Sequence, residues 1–350
     1  MGFTADARMH VRITPDDVGR RVSVRRLSEA PAAGARYTDT VGELTSWVSG
    51  VLSITRRDGV SVSISQDALV AGKVIPPTPP RRRTPKVSTT DLERVAARGW
   101  PPMESERLGA WTLRAADGFT RRANSALALG DPGADLGTAV SAVARWYAER
   151  GLPPYLVVQD GATGPAGEDL DAALAARGWT REAPAVLLTA PLAPLPDTVD
   201  PHELDRVRLS REPDAEWLAL YHHSAQASPA ALRVLSGGPS VWCAKLPAPD
   251  GTTAAIGRLV VDGPPWSTTG PGTARWAGFA AIEVAPAHRR RGLATLVMAA
   301  LAHRALAEGA SAGYLQVEAD NEGAWAMYER LGFTEHHRYH YRRGPVAGSA

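Results

Sequence analysis

At 350 residues the chain has room for two or three domains, and its 39 Lys and Arg against 37 Asp and Glu leave a formal charge of only +2. Hydrophobic residues at 44% and charged residues at 22% fit an ordinary globular protein, and no uninterrupted apolar run approaches the ~18–20 residues of a helical membrane span. Its start carries no basic cluster followed by an apolar core, and Cys243 is the single cysteine, so a disulfide framework is excluded and a cytoplasmic location is expected.

Residues 1–86 hold 14 basic and 8 acidic side chains, whereas residues 87–350 hold 25 and 29, so the basic excess sits in the N-terminal quarter. That quarter reads as short period-2 runs at 21–26, 43–48, 51–57 and 60–65, broken by Gly50 and Asp58-Gly59. The pattern predicts a small antiparallel β-barrel over 1–75, and its strand spacing and turn positions resemble an SH3-like barrel. Its aromatic residues are few (Phe3, Tyr37, Trp47) and form no stacking row, so a solvated surface or docking module is expected rather than a nucleic-acid site. Residues 75–85 are proline-dense, and with the basic residues among them they mark a stiff linker over 76–87.

Beyond the linker the chain reads as two copies of one unit, 88–200 and 201–350. The helix–Gly–strand segment 145–158 parallels 303–316, with Gly151 opposite Gly309, and Leu174 to Thr180 parallels Tyr328 to Thr334. In the second copy the periodicities predict strand 207–209, helices 213–222 and 229–235, and strands 241–246, 254–261 and 275–284. Helix 292–308, strand 313–319, helix 322–331 and a closing strand pair over 333–342 follow. Strands interleaved with helices give an α/β (α+β) class with mixed sheets.

The segment with chemistry is 280–295. An apolar strand ends at Val284-Ala-Pro286, a turn follows with Arg289, Arg290 and Arg291, and a helix opens at Gly292-Leu293-Ala294-Thr295 with apolar residues at helical spacing. Free amides in the first turn of a helix favour a phosphate, and small residues at 292 and 294 let it approach the backbone. A basic helix start followed by an ordinary core helix is the alternative reading of the same residues.

Those residues, in the order Val284-Ala-Pro286 and Arg289-x-x-Gly292-x-Ala294, resemble the pyrophosphate loop of the GNAT superfamily of acyl-CoA-dependent N-acyltransferases. Leu315-x-Val317, Asn321-x-x-Ala324, Tyr328 and Leu331-Gly332-Phe333 match its second signature. The resemblance implies acetyl-CoA as cosubstrate, no metal, and direct transfer to the amine of a small molecule or peptide. It implies that strands near Val284 and Gly313 splay to admit the pantetheine arm, which pairs with backbone at Glu283 and Val284, and that residues 289–295, Asn321 and Ala324 hold the cofactor. The Val284 amide would face the oxyanion, Tyr328 would be the acid at the thiolate with a phenol matched to it near ~10, and Glu283 is the candidate base, with Glu318 and Asp320 behind it. A catalytically silent acyl-CoA-binding protein whose barrel recruits a partner is the alternative.

Matching Gly151 to Gly309 sets Asp131 and Asp135 where the phosphate loop would be and Leu174 where Tyr328 stands, so residues 88–200 read as a degenerate GNAT-like half that shapes the acceptor cleft or stabilises its neighbour. Such a tandem chain could build a pseudo-dimer internally as a monomer, or pair as a homodimer. The acceptor-facing loops are expected at 225–238 and 264–272. His336 and His340 on one strand face would lie about 13 Å apart, too far for one metal ion, His222 and His223 diverge on a helix, and Cys243 on an apolar strand reads as a small core residue.

Overall fold

The computed structural model describes residues 10–27, 37–56, 60–75, 84–221, 228–262 and 275–345. The chain forms two compact units, Met1–Arg82 and Arg83–Ala350. The linker residues 76–83, the Asp58-Gly59 turn, His222 and His223, the loop 264–272 and the start of 225–238 lie outside the described residues.

In the first unit six strands, β1 (His10–Val11), β2 (Arg21–Leu27), β3 (Tyr37–Val48), β4 (Val51–Thr55), β5 (Ser61–Ser65) and β6 (Leu69–Val74), pair in the order β1-β6-β2-β3-β4-β5. All pairs are antiparallel except β1 with β6. Alternation puts Val22, Val24, Leu44, Leu52, Ile54 and Ile64 on one inner face, where they form a single core with Ile13 and Leu69. The turn at Ser49-Gly50 takes positive φ at both residues, the twist that a two-residue hairpin requires.

The second unit contains α1 (Thr89–Gly99), β7 (Glu104–Leu108), β8 (Trp111–Ala115), β9 (Ala126–Leu127), α2 (Leu136–Ala148), β10 (Tyr155–Gln159), α3 (Leu170–Ala175) and β11 (Thr180–Pro191). These are followed by α4 (Pro201–Leu204), β12 (Arg208–Ser210), α5 (Ala215–Leu220), α6 (Pro229–Ser236), β13 (Val241–Pro247), β14 (Thr253–Asp262) and β15 (Arg275–Val284). Then come α7 (Leu293–Ala307), β16 (Ala310–Glu318), α8 (Glu322–Arg330) and β17 (Thr334–Arg343). Eleven strands make one continuous mixed sheet, ordered β12-β13-β14-β15-β16-β11-β17-β10-β9-β8-β7. Each sequence half contributes an antiparallel run that ends in one parallel pair, β15 with β16 and β9 with β10.

The two halves exchange their last strands. β11, from the first half, pairs with β16 of the second, and β17, from the second, pairs with β10 of the first, while β11 and β17 pair with each other at the centre. This corrects the expected strand pair over 333–342: residues 334–343 contain no Gly or Pro to turn on, and both neighbours of the single strand come from residues 155–191. α1 likewise crosses over, packing Leu92, Val95 and Ala96 against Trp276, Ala312 and Tyr314 of the second half.

Helix α7 is buried nearly all round, from Leu296 through Ala302, because the sheet covers one side and the 196–204 segment the other. Arg258 on β14 is 1% exposed and donates to the carbonyls of Leu235, Gly99 and Gly237, tying the ends of α6 and α1 to the sheet; burial lowers its pKa to about 10.

Candidate active site

The β15–β16 ladder runs only from Arg275↔Ala310 to Phe279↔Leu315, although β15 continues to Val284 and β16 to Glu318. The strands therefore part after Phe279. A bulge in β15 opposite Gly257 produces the divergence: the register with β14 shifts between Ile256 and Arg258, and Ala281 takes φ +52°. Gly257 is required there, because a Cβ would sit 2.6 Å from Val297 Cγ1 and 2.8 Å from Ile282 Cδ1.

Beyond the bulge the hydrogen-bond alternation decides which peptide faces the gap. Ala285 N–H donates to the Ala254 carbonyl, so 254/285 is a hydrogen-bonded pair, and two residues back 256/283 is another. Val284, between them, directs its N–H and C=O away from β14 and toward the gap. Arg289 Nε donates to that carbonyl at 3.3 Å, leaving the amide. Glu283 is opposite Ile256 in the β14 register, and it also lines the cavity.

A short 3-10 turn over Pro286–His288 then carries the chain to α7. Arg289, Arg290, Arg291 and Gly292 are exposed, and Leu293, Ala294 and Thr295 are half-buried. Gly292 is the N-cap, at φ +74°, and no side chain caps the helix, which leaves its first amides directed outward. Arg290 also holds a left-handed backbone, at φ +63°, an uncommon state for a non-glycine residue. The corresponding start of α2 in the first half is closed: Asp135 accepts from the Thr138 amide at 3.0 Å, and Asp131 accepts from Gly133 at 2.8 Å. Leu174, matched to Tyr328, is fully buried.

The gap opens into a cavity of about 660 Å³ lined by Phe279 to Glu283, by Gln316, Val317 and Glu318, and by Asn321, Ala324 and Tyr328. Asn321 caps α8, its Oδ1 accepting from the Ala324 amide at 3.1 Å. Tyr328 is 9% exposed, with its ring 5.9 Å from that of Phe333; burial, with no compensating cation, raises its phenol pKa to about 12. The expected match of a phenol near ~10 to the thiolate is thereby lost. Among the described residues its hydroxyl has no hydrogen-bond partner, although it lines the cavity. Asp320 does not line the cavity, while Glu318 does.

Sequence reasoning missed the other wall. Trp100, Gly118, Thr120, Arg121, Arg122, Ala183, Ala185, Tyr221, Tyr339 and Tyr341 complete the lining, so residues of the first half and of the exchanged strand, with Tyr221, face the second half's gap. The available signal was the loop Gly118-Phe-Thr-Arg-Arg-Ala-Asn124, with turn formers between two apolar strands. Cys243 is buried, which raises its thiol pKa to about 12, in keeping with a core role. His337 pairs with Glu93 at 2.8 Å, His336 Nε2 with the Val87 carbonyl, and His340 with Asp171; no three potential ligands cluster for a metal among the described residues.

Among known proteins, the family described as "Probable histone acetyltransferase Rv0428c C-terminal" matches residues 88–342. The chain is 31% identical to "Probable histone acetyltransferase Rv0428c" of Mycobacterium tuberculosis (strain ATCC 25618 / H37Rv) over 329 residues, 93% of this chain and 94% of that one. It is 27% identical to "Uncharacterized N-acetyltransferase YobR" of Bacillus subtilis (strain 168), over 72% and 96% of the two chains. A GCN5-related N-acetyltransferase from Kribbella flavida shares the fold at TM-score 0.51 and 17% identity, over 73% of this chain and 95% of that one. The chain belongs to the Rv0428c C-terminal acetyltransferase family and shares the fold of a GCN5-related N-acetyltransferase.

Proposed function

We propose that the protein transfers the acetyl group of acetyl-CoA directly to a primary amine. The observation that carries this reading is the uncapped start of α7 beside a strand gap into which the Val284 peptide faces. The residues fit the cosubstrate. Amides from Arg290 to Thr295, with the guanidinium groups of Arg289, Arg290 and Arg291, would hold the diphosphate. The free edge at Val284 would receive the pantetheine amides as an added strand does, and Asn321 and Ala324 would border the arm.

Aminolysis of a thioester requires a neutral amine, a stabilised oxyanion and a proton for the departing sulfur. Glu283, which lines the cavity, would take the amine's proton, directly or through water, and the Val284 amide would face the oxyanion. Tyr328 would donate to the sulfur. Small amine, aminoglycoside, peptide N-terminus and protein lysine are the candidate acceptors, and the mycobacterial relative's name, a probable histone acetyltransferase, is in line with a protein among them.

Calorimetry with coenzyme A, followed by thiol release from acetyl-CoA with pooled amines and mass analysis of the product, tests the proposal. A binding isotherm weakened by acidic substitution at Arg290 and Arg291, plus acceptor-dependent release, is expected. Binding without acceptor-dependent release would instead make this a silent acyl-CoA-binding protein, and no binding at all would overturn the site.

A further inference from the structure

The loop between β8 and β9 is built with unusual care for a surface connection. Asn124, 5% exposed, spends its whole hydrogen-bonding capacity on it: Oδ1 accepts from the amides of Ala116 and Gly118 at 2.8 and 3.0 Å, and Nδ2 donates to the carbonyls of Phe119 and Thr120 at 2.9 and 2.8 Å. Asp117 and Thr120 both hold positive φ, and Trp100 Nε1 donates to Thr120 Oγ1 at 3.0 Å. Strain at non-glycine residues persists only where the surroundings over-determine it. What this loop presents to the cavity is Arg121 and Arg122.

The two arginines differ. Arg121 lies over Tyr155 and Tyr341 and meets Glu182 at 3.6 Å. Arg122 is half-buried with its guanidinium 5.0 Å over Trp100, and among the described residues it meets no carboxylate and donates to no acceptor. Glu93 lines the same recess but is committed to His337 at 2.8 Å. Burial pushes the phenols of Tyr221, Tyr314, Tyr339 and Tyr341 up, and the Arg122 charge pulls each partly back, so the guanidinium stands among aromatic rings. Its planar fork of donors is unspent on any acceptor among the described residues.

We infer that Arg122 binds a carboxylate of the acyl acceptor, which makes the acceptor a small amine that also carries a carboxylate, and disfavours a lysine-rich tail. The inference rests on the proposed transfer reaction. Glu283 and Glu318 line the same cavity, so a zwitterion finds acidic side chains for its ammonium group and a guanidinium for its carboxylate.

Matched acceptors test it: β-alanine against ethylamine, phenylalanine against phenethylamine, with aminoethylphosphonate and a lysine-rich peptide as further arms. The carboxylated member of each pair should show the higher kcat/KM. Arg122→Ala should shrink that preference by about 10- to 100-fold, the range for losing a hydrogen bond to a charged group, and Arg122→Lys should restore only part of it. Calorimetry of β-alanine into coenzyme A-saturated protein gives a readout independent of turnover. Arg122-dependent carboxylate binding without turnover would uphold the carboxylate site at Arg122 while overturning both the transfer reading and the identification of that ligand as an acyl acceptor. Turnover with no preference, an unchanged preference in Arg122→Ala, or a phosphonate or lysine-rich peptide outperforming the carboxylates by more than tenfold would overturn the inference while the transfer reading stands.

Discussion

Replacing Tyr328 with Phe separates chemistry from packing, because the hydroxyl makes no hydrogen bond among the described residues and the ring keeps its contact with Phe333. The cost in folding stability should be under ~1 kcal/mol, since no partner is orphaned. The catalytic cost follows from the burial that raises the phenol pKa to about 12. Against a thiolate near ~8.5, complete transfer from such a donor is uphill by roughly 3.5 units, or about 5 kcal/mol. The proton must therefore move late, as charge grows on sulfur, and the gain should fall in the lower part of the ~10²–10⁴ range for general acids. We expect thiol-release kcat to fall about 100-fold in Tyr328→Phe, with the coenzyme A Kd within twofold and the melting temperature almost unchanged. The wild-type pH–rate profile should show no descending limb from this phenol below about pH 11, as a group ionising at about 12 dictates. A fall of less than fivefold would make Tyr328 a packing residue, and a limb at pH 9–10 that vanishes in the variant would refute the buried, unpartnered phenol.

Arg258→Met would orphan three carbonyls that now accept at 2.5–2.9 Å, and should cost about 3–5 kcal/mol, read as a loss of roughly 10 °C in thermal denaturation; a shift under 2 °C would mean that water replaces the guanidinium at no expense. Gly257→Ala sets a methyl 2.6 Å from Val297 and 2.8 Å from Ile282, so overpacking of about 1–3 kcal/mol should accompany weaker coenzyme A binding, and unchanged affinity would show that the strand gap does not depend on the bulge. Asp171, hydrogen-bonded by Arg342 and His340, has its pKa lowered to about 2, so its contribution is present above about pH 4 and lost as pH falls through about 2. Discounted for a side chain 30% exposed, that is about 1–2 kcal/mol, and Asp171→Asn should flatten denaturant-midpoint stability across this window. His336 and His340, both lowered by burial, add destabilisation of the same sign as acidification passes below about 6.5, because only the unfolded histidines take up protons there.

Local signals wrote most of the second half's elements into the sequence. Strand 275–284, helix 292–308 and helix 322–331 were legible because each is a continuous run with a cap or stop, such as Asn321 before α8 and Gly309 after α7. The strand gap was legible only through resemblance, since the bulge at Ala281 depends on Gly257, a residue on another strand. The exchange of β11 and β17 was not legible at all. A strand's alternation says which face is buried and nothing about which neighbour supplies its hydrogen bonds. The same limit hid the Arg121–Arg122 wall, whose position follows from four hydrogen bonds made by one asparagine two residues downstream of Arg122.

The exchange also gives the first half a structural part in the shared sheet although the start of its α2 is closed. At the start of α2, Asp135 and Asp131 accept from amides within their own loop and set carboxylates where the corresponding turn before α7 has arginines, so that half is unsuited to hold an anion at the equivalent point. Its β11 nevertheless covers the edge of β16 from Ala185↔Glu318 to Pro191↔Ala312, and this pairing continues past Leu315, where β16 has left β15. Without it, the gap-forming end of β16 would have no partner strand on either side, and two unpaired edges would face each other across the split. The same half supplies the loop of Arg121 and Arg122 to the far wall. The second half thus contributes the strand gap and the uncapped helix start, while the first pairs the diverging strand and lines the far wall of the cavity, an arrangement that requires a shared sheet rather than two separable ones.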